Sequence, residues 1–294
     1  MLTKRLLLLL VLFVCLAGAL EVAAQDEDSS KAIKAEEFIK DRPGTTKKSS
    51  AARYKPAAKS PTTGAADTPP PGTTFAQLGV TFWRFRRSLV GDRTKELVEE
   101  EEGDWTLERI EEGTPLATGQ MVRLSIESLS RAGYLYVIDR EQYADGTTGD
   151  PILIFPKQKT RDANFVKAGR LIYIPSTSGK FRIKPSESSK VHVGEIVTIL
   201  VSPEPLIDPA QLGPKSIKLA RQQVELWEKR WGASATRFEM QGGAGQTMTE
   251  KEQAAGTDGS PELTKDDPAP QTVYRVAIKP ANPIVVSVPL KFRK

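Results

Sequence analysis

Few residues in this chain have the chemistry for catalysis. Among its 294 residues Cys15 is the only cysteine and His192 the only histidine. Cys15 lies inside an apolar N-terminal run, so loss of that run removes every thiol and with it thiol nucleophiles and thiolate metal sites. His192 sits in Val191-His-Val-Gly beside a strand pattern. A triad needs a serine and a carboxylate brought to it, and no Gly-x-Ser-x-Gly elbow is present, so His192 reads as structural or surface-exposed. Gly242-Gly-Ala-Gly245 has no strand before it and does not read as a phosphate loop. Asp139, Glu141, Asp145 and Asp150 crowd one polar segment. Such a segment could offer oxygen ligands to calcium or, with Glu99–Glu102 as another source, paired carboxylates for glycoside hydrolysis. The spacing lacks the alternation of an EF-hand, and Asp and Gly are ordinary turn residues. No catalytic, metal or cofactor-binding residue is assigned, and no cofactor is expected.

The acidic segment belongs to the stretch around which the chain is organised, Gly133–Pro156. Two β-rich runs, Tyr134–Ile138 and Ile152–Phe155, flank an Asp145-Gly146 turn signal, the pattern of a hairpin. Alternation puts Leu135 and Val137 on one face and Tyr134 and Tyr136 on the other. Tyr134, Tyr136, Tyr143 and Trp83 form an aromatic recognition surface if exposed; coverage by a helix near Trp227–Trp231 is the favoured reading.

Other elements show the same alternation. Gly79–Arg87 carries Val80 and Phe82 on one face and Thr81, Trp83 and Phe85 on the other, a strand covered on both sides. Trp105 and Leu107 begin another extended piece. Met121–Leu129 alternates Val122, Leu124 and Ile126 with Arg123, Ser125 and Glu127, which predicts one buried face and one polar one. Short strands are expected at Arg170–Ile174, Lys180–Ile183 and Glu195–Val201, then at Thr272–Ile278 and Ile284–Phe292, where Pro289 argues for an edge. Ile217, Ala220, Val224, Trp227 and Trp231 make one helical stripe, with Pro214 read in the first turn and Gly232 as the stop. About eight strands and one amphipathic helix predict a mainly β fold, an antiparallel β-sandwich or partly open barrel.

Domain organisation follows composition. Residues 1–24 read as a signal peptide: Lys4 and Arg5 precede the apolar run Leu6–Leu20, and Val22-Ala-Ala24 offers a small-residue cleavage site. The run is near the ~15-residue limit of a signal core and short of the ~18 residues of a membrane span, and a retained anchor is the alternative. Residues 25–74 are poor in large apolar groups, end in Pro69-Pro-Pro-Gly72 and read as a disordered tether. Between Arg42 and Lys59 this tether has six basic and no acidic residues, a tail for anionic lipid or acidic cell-wall polymer, although a solvated linker is the plainer reading. Residues 75–294 make one β-rich domain, with a mobile low-complexity insertion at about 242–270. Net charge is +5, and nucleic acid is not an expected partner of an exported chain.

The order of several short motifs resembles the bacterial family called domain of unknown function 4384. Gly119, Arg123 and Leu124 precede Gly133-Tyr-Leu-Tyr-Val and Ile154-Phe-Pro. Asn164, Ala168-Gly169, Ile174-Pro175, Phe181, Gly194-Glu195 and Ser202 continue the resemblance, which covers roughly Pro115–Leu206. The segment Lys184–Val193 departs from the Gly-Pro-x-Gly turn often found there in the family. The resemblance implies an exported, periplasmic or extracellular accessory domain of the bacterial cell envelope, with no catalytic residues to carry over. Two functions stand: a non-enzymatic binding or assembly module, partnered by another envelope protein or a cell-wall polymer, and a hydrolase with an unrecognised carboxylate or serine site. A pocket lined by convergent polar groups favours the hydrolase; a flat aromatic face or an open sheet edge favours the binder.

Overall fold

The computed structural model describes residues 32–47, 50–57, 74–99, 101–157, 164–233, 235–256 and 261–293. The chain divides into two units, Met1–Ile33 and Lys34–Lys294, and the second carries the fold. The expected signal peptide lies outside the described residues, as do Gln25–Lys31 and all of Ala58–Thr73. Among the described residues no helix is long and apolar enough to cross a membrane.

The fold is mainly β, with antiparallel sheets of ten and six strands rather than one eight-stranded sandwich, and no barrel closure is found among the described residues. The ten-stranded count includes the two-residue strand β1 (Ile33–Lys34). The larger sheet is built on β3 (Thr74–Arg87). One edge of β3 pairs in tandem with β15 (Thr272–Ile278) and β5 (Asp104–Ile110), and the other with β6 (Met121–Ser128). β10 (Ile172–Ile174) and β11 (Phe181–Arg182) extend β6. Beyond β15 lie β14 (Ala235–Met240) and β2 (Arg53–Pro56); beyond β5 lies β4 (Glu96–Leu97). The smaller sheet runs β13 (Ile217–Lys218), β8 (Ile152–Phe155), β7 (Gly133–Tyr143), β12 (His192–Ser202) and β16 (Ile284–Lys291), with β9 (Phe165–Val166) also on β7.

Alternation along these strands sorts the core into layers. Val80, Phe82, Leu124 and Ile126 from the larger sheet meet Leu135, Val137, Ile199 and Val286 from the smaller one. The opposite parity of β3 places Trp83 and Phe85 in a second cluster with Leu171, Met248 and Leu263, so that strand is indeed covered on both sides. On the outer face of the smaller sheet Tyr136, Ile138 and Leu200 pack under helix α2 (Arg221–Trp231) through Val224 and Trp227. Tyr136 is therefore buried and Tyr134 packs beside it, so the aromatic face is covered by the Trp227 helix. Trp83 and Tyr143 are also buried. β16 occupies the expected edge.

Several expectations are corrected. All eight residues of β6 are buried, although Arg123, Ser125 and Glu127 read as a solvent face. Each polar member has a partner: Arg123 pairs with the partly buried Glu96 at 2.7 Å, Trp83 Nε1 donates to Ser125 Oγ at 2.9 Å, and Glu127 pairs with the buried Arg42 at 2.7 Å. The described part of the expected tether is folded: helix α1 (Ala35–Phe38) and β2 bury Phe38, Ile39, Tyr54 and Arg42. The expected mobile insertion at 242–270 holds helix α3 (Glu250–Ala255), started by a Thr249–Glu252 capping box, and buries Met248, Glu252 and Leu263. There are thus three α-helices among the described residues rather than one. α2 starts at Arg221, not near Pro214, because Ile217 and Lys218 pair with Leu153 and Ile152 as a strand; Gly232 caps its end as expected. β14 was not anticipated.

Candidate functional site

The apolar inner face of the smaller sheet does not run to its end. On β7, Leu135, Val137, Asp139 and Glu141 share one face by strand parity. Their partners on β12 are Val201, Ile199, Val197 and Glu195 respectively. β7 therefore turns from aliphatic to acidic at Asp139, opposite Val197, and β12 does so at the next inward-facing pair, Glu195 opposite Glu141. Here the two sheets enclose a cavity of about 460 Å³, within the ~300–1,000 Å³ of small-molecule sites.

Each wall comes from a different element. Phe82 on β3, Val122 and Leu124 on β6, and Phe181 on β11 supply apolar surface from the larger sheet. Leu290 on β16, the following Phe292, and Ile154 on β8 supply it from the smaller one. The segment Lys184–Ser188 completes the lining. It is moored to the acidic end, where Ser186 Oγ donates to Glu141 Oε2 at 2.7 Å and Tyr143 donates to the same oxygen.

His192 enters through an irregularity. The β12–β7 register shifts between His192 and Gly194, and such a bulge re-aims the side chains beside it. Gly194 is required there, since a Cβ would run into the Leu290 carbonyl. The His192 ring lies edge-on to Phe292 at 4.8 Å, with its side chain only 8 % exposed. Its Nε2 is 3.1 Å from Glu195 Oε1, yet neither ring nitrogen makes a hydrogen bond. The pair are close neighbours rather than bonded partners, because the ring's N–H direction does not meet the oxygen.

The acids are electrostatically out of balance. Asp139 Oδ1 and Glu195 Oε2 are buried without hydrogen-bond partners. Burial, first of all, pushes both carboxyls well above the ordinary carboxylate range, and their repulsion of each other and of Glu141 adds to it for Glu195. Arg140, between Asp139 and Glu141 in sequence, faces the other way and pairs with Glu228 on α2. Arg123 and Arg182 border the cavity but are held by Glu96 and Glu101.

The structure splits the four carboxylates that sequence placed in one loop. Asp139 and Glu141 are in β7, whose pairing runs on to Tyr143, and border the cavity. Asp145 and Asp150 are surface residues: Asp145 pairs with Lys190 at 3.0 Å and Asp150 with Lys218 at 2.5 Å. Hydrogen bonds from Thr147 first, then Lys190, hold Asp145 down at about 2. No group of acids and histidines suited to a metal ion occurs among the described residues. Glu101 of the acidic run pairs with Arg182. His192 has no serine partner, since Ser186 is turned to Glu141. Glu195 is the site residue that sequence reasoning missed. The available signal was parity: Glu195 is in step with Val197, Ile199 and Val201, as Asp139 is with Val137.

Comparison with protein-family models, curated proteins and solved structures returned no match.

Proposed function

We propose that the protein is a non-enzymatic binding module of the cell envelope, with its ligand in the cavity between the two sheets. The observation that carries this reading is the convergence of unpartnered buried polar atoms, on Asp139, Glu195 and His192, in a cavity that also offers aliphatic and aromatic wall surface. Buried polar atoms are nearly always satisfied, so a set left open in one cavity calls for a ligand that satisfies them. The envelope location rests on the N-terminal sequence and on the resemblance of the central motifs. The covered aromatic face removes the flat recognition surface that sequence alone offered.

The test is fluorescence enhancement of the neutral probe N-phenyl-1-naphthylamine. Enhancement with the parent protein, lost in a Val197→Trp variant of unchanged far-ultraviolet circular dichroism, is the expected result. No enhancement with the parent, or equal enhancement with both, overturns the reading.

A convergent polar pocket also favours the alternative, a hydrolase, because carboxyls raised by burial are suited to proton transfer. The binding reading is preferred because no hydrogen bond joins His192 to a nucleophile. Turnover of chromogenic ester or glycoside substrates, abolished by Asp139→Asn, would reverse that preference.

A further inference from the structure

The distribution of charge inside the cavity identifies a ligand class, given the reading of the cavity as a ligand site. We propose that it binds an organic cation, a protonated amine on an apolar body, with the ammonium among Asp139, Glu141 and Glu195 and the body along the aliphatic and aromatic walls.

Three acids from two adjacent strands face this space, and the arginines that border it are committed elsewhere. Glu195 stands directly opposite Glu141 across the β7–β12 ladder, and like charges opposed in this way destabilise a sheet. Arg140 is committed to Glu228 on the far face, Arg123 to Glu96 and Arg182 to Glu101. Lys184 and Glu187 also line the space, and both are exposed to solvent. His192 is the remaining titratable group, set against Phe292 with both nitrogens open.

The open atoms define the complement. Asp139 Oδ1 and Glu195 Oε2 are acceptors when ionised, and an ammonium carries donors and no acceptor. A charge-assisted N–H···O bond is roughly twice as strong as a neutral one, more so where water is excluded. An anionic ligand would be repelled wherever one of these acids is ionised. A bare metal ion would find no set of three suitable ligands among the described residues, and the apolar walls would stay unused. An amine with an apolar tail satisfies both ends. Because burial holds Asp139 and Glu195 toward their protonated forms, seating an ammonium beside them ionises them and releases protons.

Calorimetric titration of the whole protein near neutral pH tests this, with n-octylammonium, n-octanol and n-octanoate as probes of equal chain length. Octylammonium is expected to bind at least about tenfold more tightly than octanol, with octanoate weakest. Its apparent enthalpy should change with the ionisation enthalpy of the buffer, whereas that of octanol should not. In an Asp139→Asn/Glu195→Gln double variant the two affinities should converge while octanol binding persists, which also shows that the variant is folded. Equal affinities for octanol and octylammonium in the parent, or a preference for octanoate, would overturn the cation and leave the cavity as a ligand site. Binding of none of the three would remove both.

Discussion

Leu135 and Asp145 show how different two residues of one hairpin can be. Leu135 is fully buried in the core between the sheets, with Val201 opposite it on β12. Its truncation to alanine leaves a cavity, and about 2–5 kcal/mol of stability should be lost. Asp145 and its partner Lys190 are about half exposed, at 50 % and 45 %. Removing so exposed a pair by Asp145→Asn should change stability far less than Leu135→Ala does, and Asp150→Asn likewise. Urea unfolding of the three variants checks the order. The inward position of Leu135 and Val137 was legible because strand parity needs only neighbours in sequence. That of Asp139 and Glu141 was not, since Asp-Arg-Glu before Asp-Gly is also what a turn looks like. What extends β7 through them is pairing with β12, more than fifty residues away.

At the level of elements, the largest gap between sequence and structure is the segment 34–57. It has too few apolar residues to read as ordered, and helix α1, four residues long, is far below the ~12–15 residues that sustain an isolated helix. Its order comes from single side chains inserted into distant partners. Phe38 meets Tyr54 edge-on at 4.9 Å and Phe238 of β14 at 5.3 Å. Arg42 makes two hydrogen bonds to Glu127, at 2.9 and 2.7 Å, and donates to the carbonyls of Thr264, Asp267 and Pro268. Both members of the ion pair are essentially inaccessible, with side-chain exposures of 1 % and 0 %. Arg42→Met strands a buried carboxylate and should cost about 3–5 kcal/mol; adding Glu127→Met should recover a large part of that. Denaturant midpoints of the single and double variants measure the difference. Helix α3 is held in the same way, with its Glu252 paired to Arg109 in the interior. Composition signals order poorly where order is held by a few buried ion pairs.

Across the whole molecule, carboxyls shifted in opposite directions set the response to pH. Asp92, Asp145, Asp150 and Asp267 are held down, chiefly by hydrogen bonds for the first three and by the Thr264 and Lys251 contacts against burial for Asp267. Their stabilisation is lost only as pH falls below the ordinary carboxylate value of about 4. Asp139, Glu195 and Glu239 are raised, each mainly by burial, Glu239 to about 7. Between about pH 4 and the raised values the folded protein binds more protons than the unfolded chain, so stability falls as pH rises. The melting midpoint should therefore drop from about pH 5 to about pH 8, and drop less in the Asp139→Asn/Glu195→Gln variant. Differential scanning calorimetry across that range checks both slopes. The mainly β, antiparallel character was legible from alternation; the split into sheets of ten and six strands was not, because it depends on which strands pair.

The anchoring of Arg42 also bears on when the fold can close. The carbonyls of Asp267 and Pro268 that hold it lie 225 and 226 residues further along the chain. A chain made from its N-terminus at ~5–20 residues per second presents Arg42 about 10–45 s before those partners exist. Glu127, 85 residues further along, is made first, but until the two carbonyls follow, Arg42 lacks the contacts that complete its anchoring.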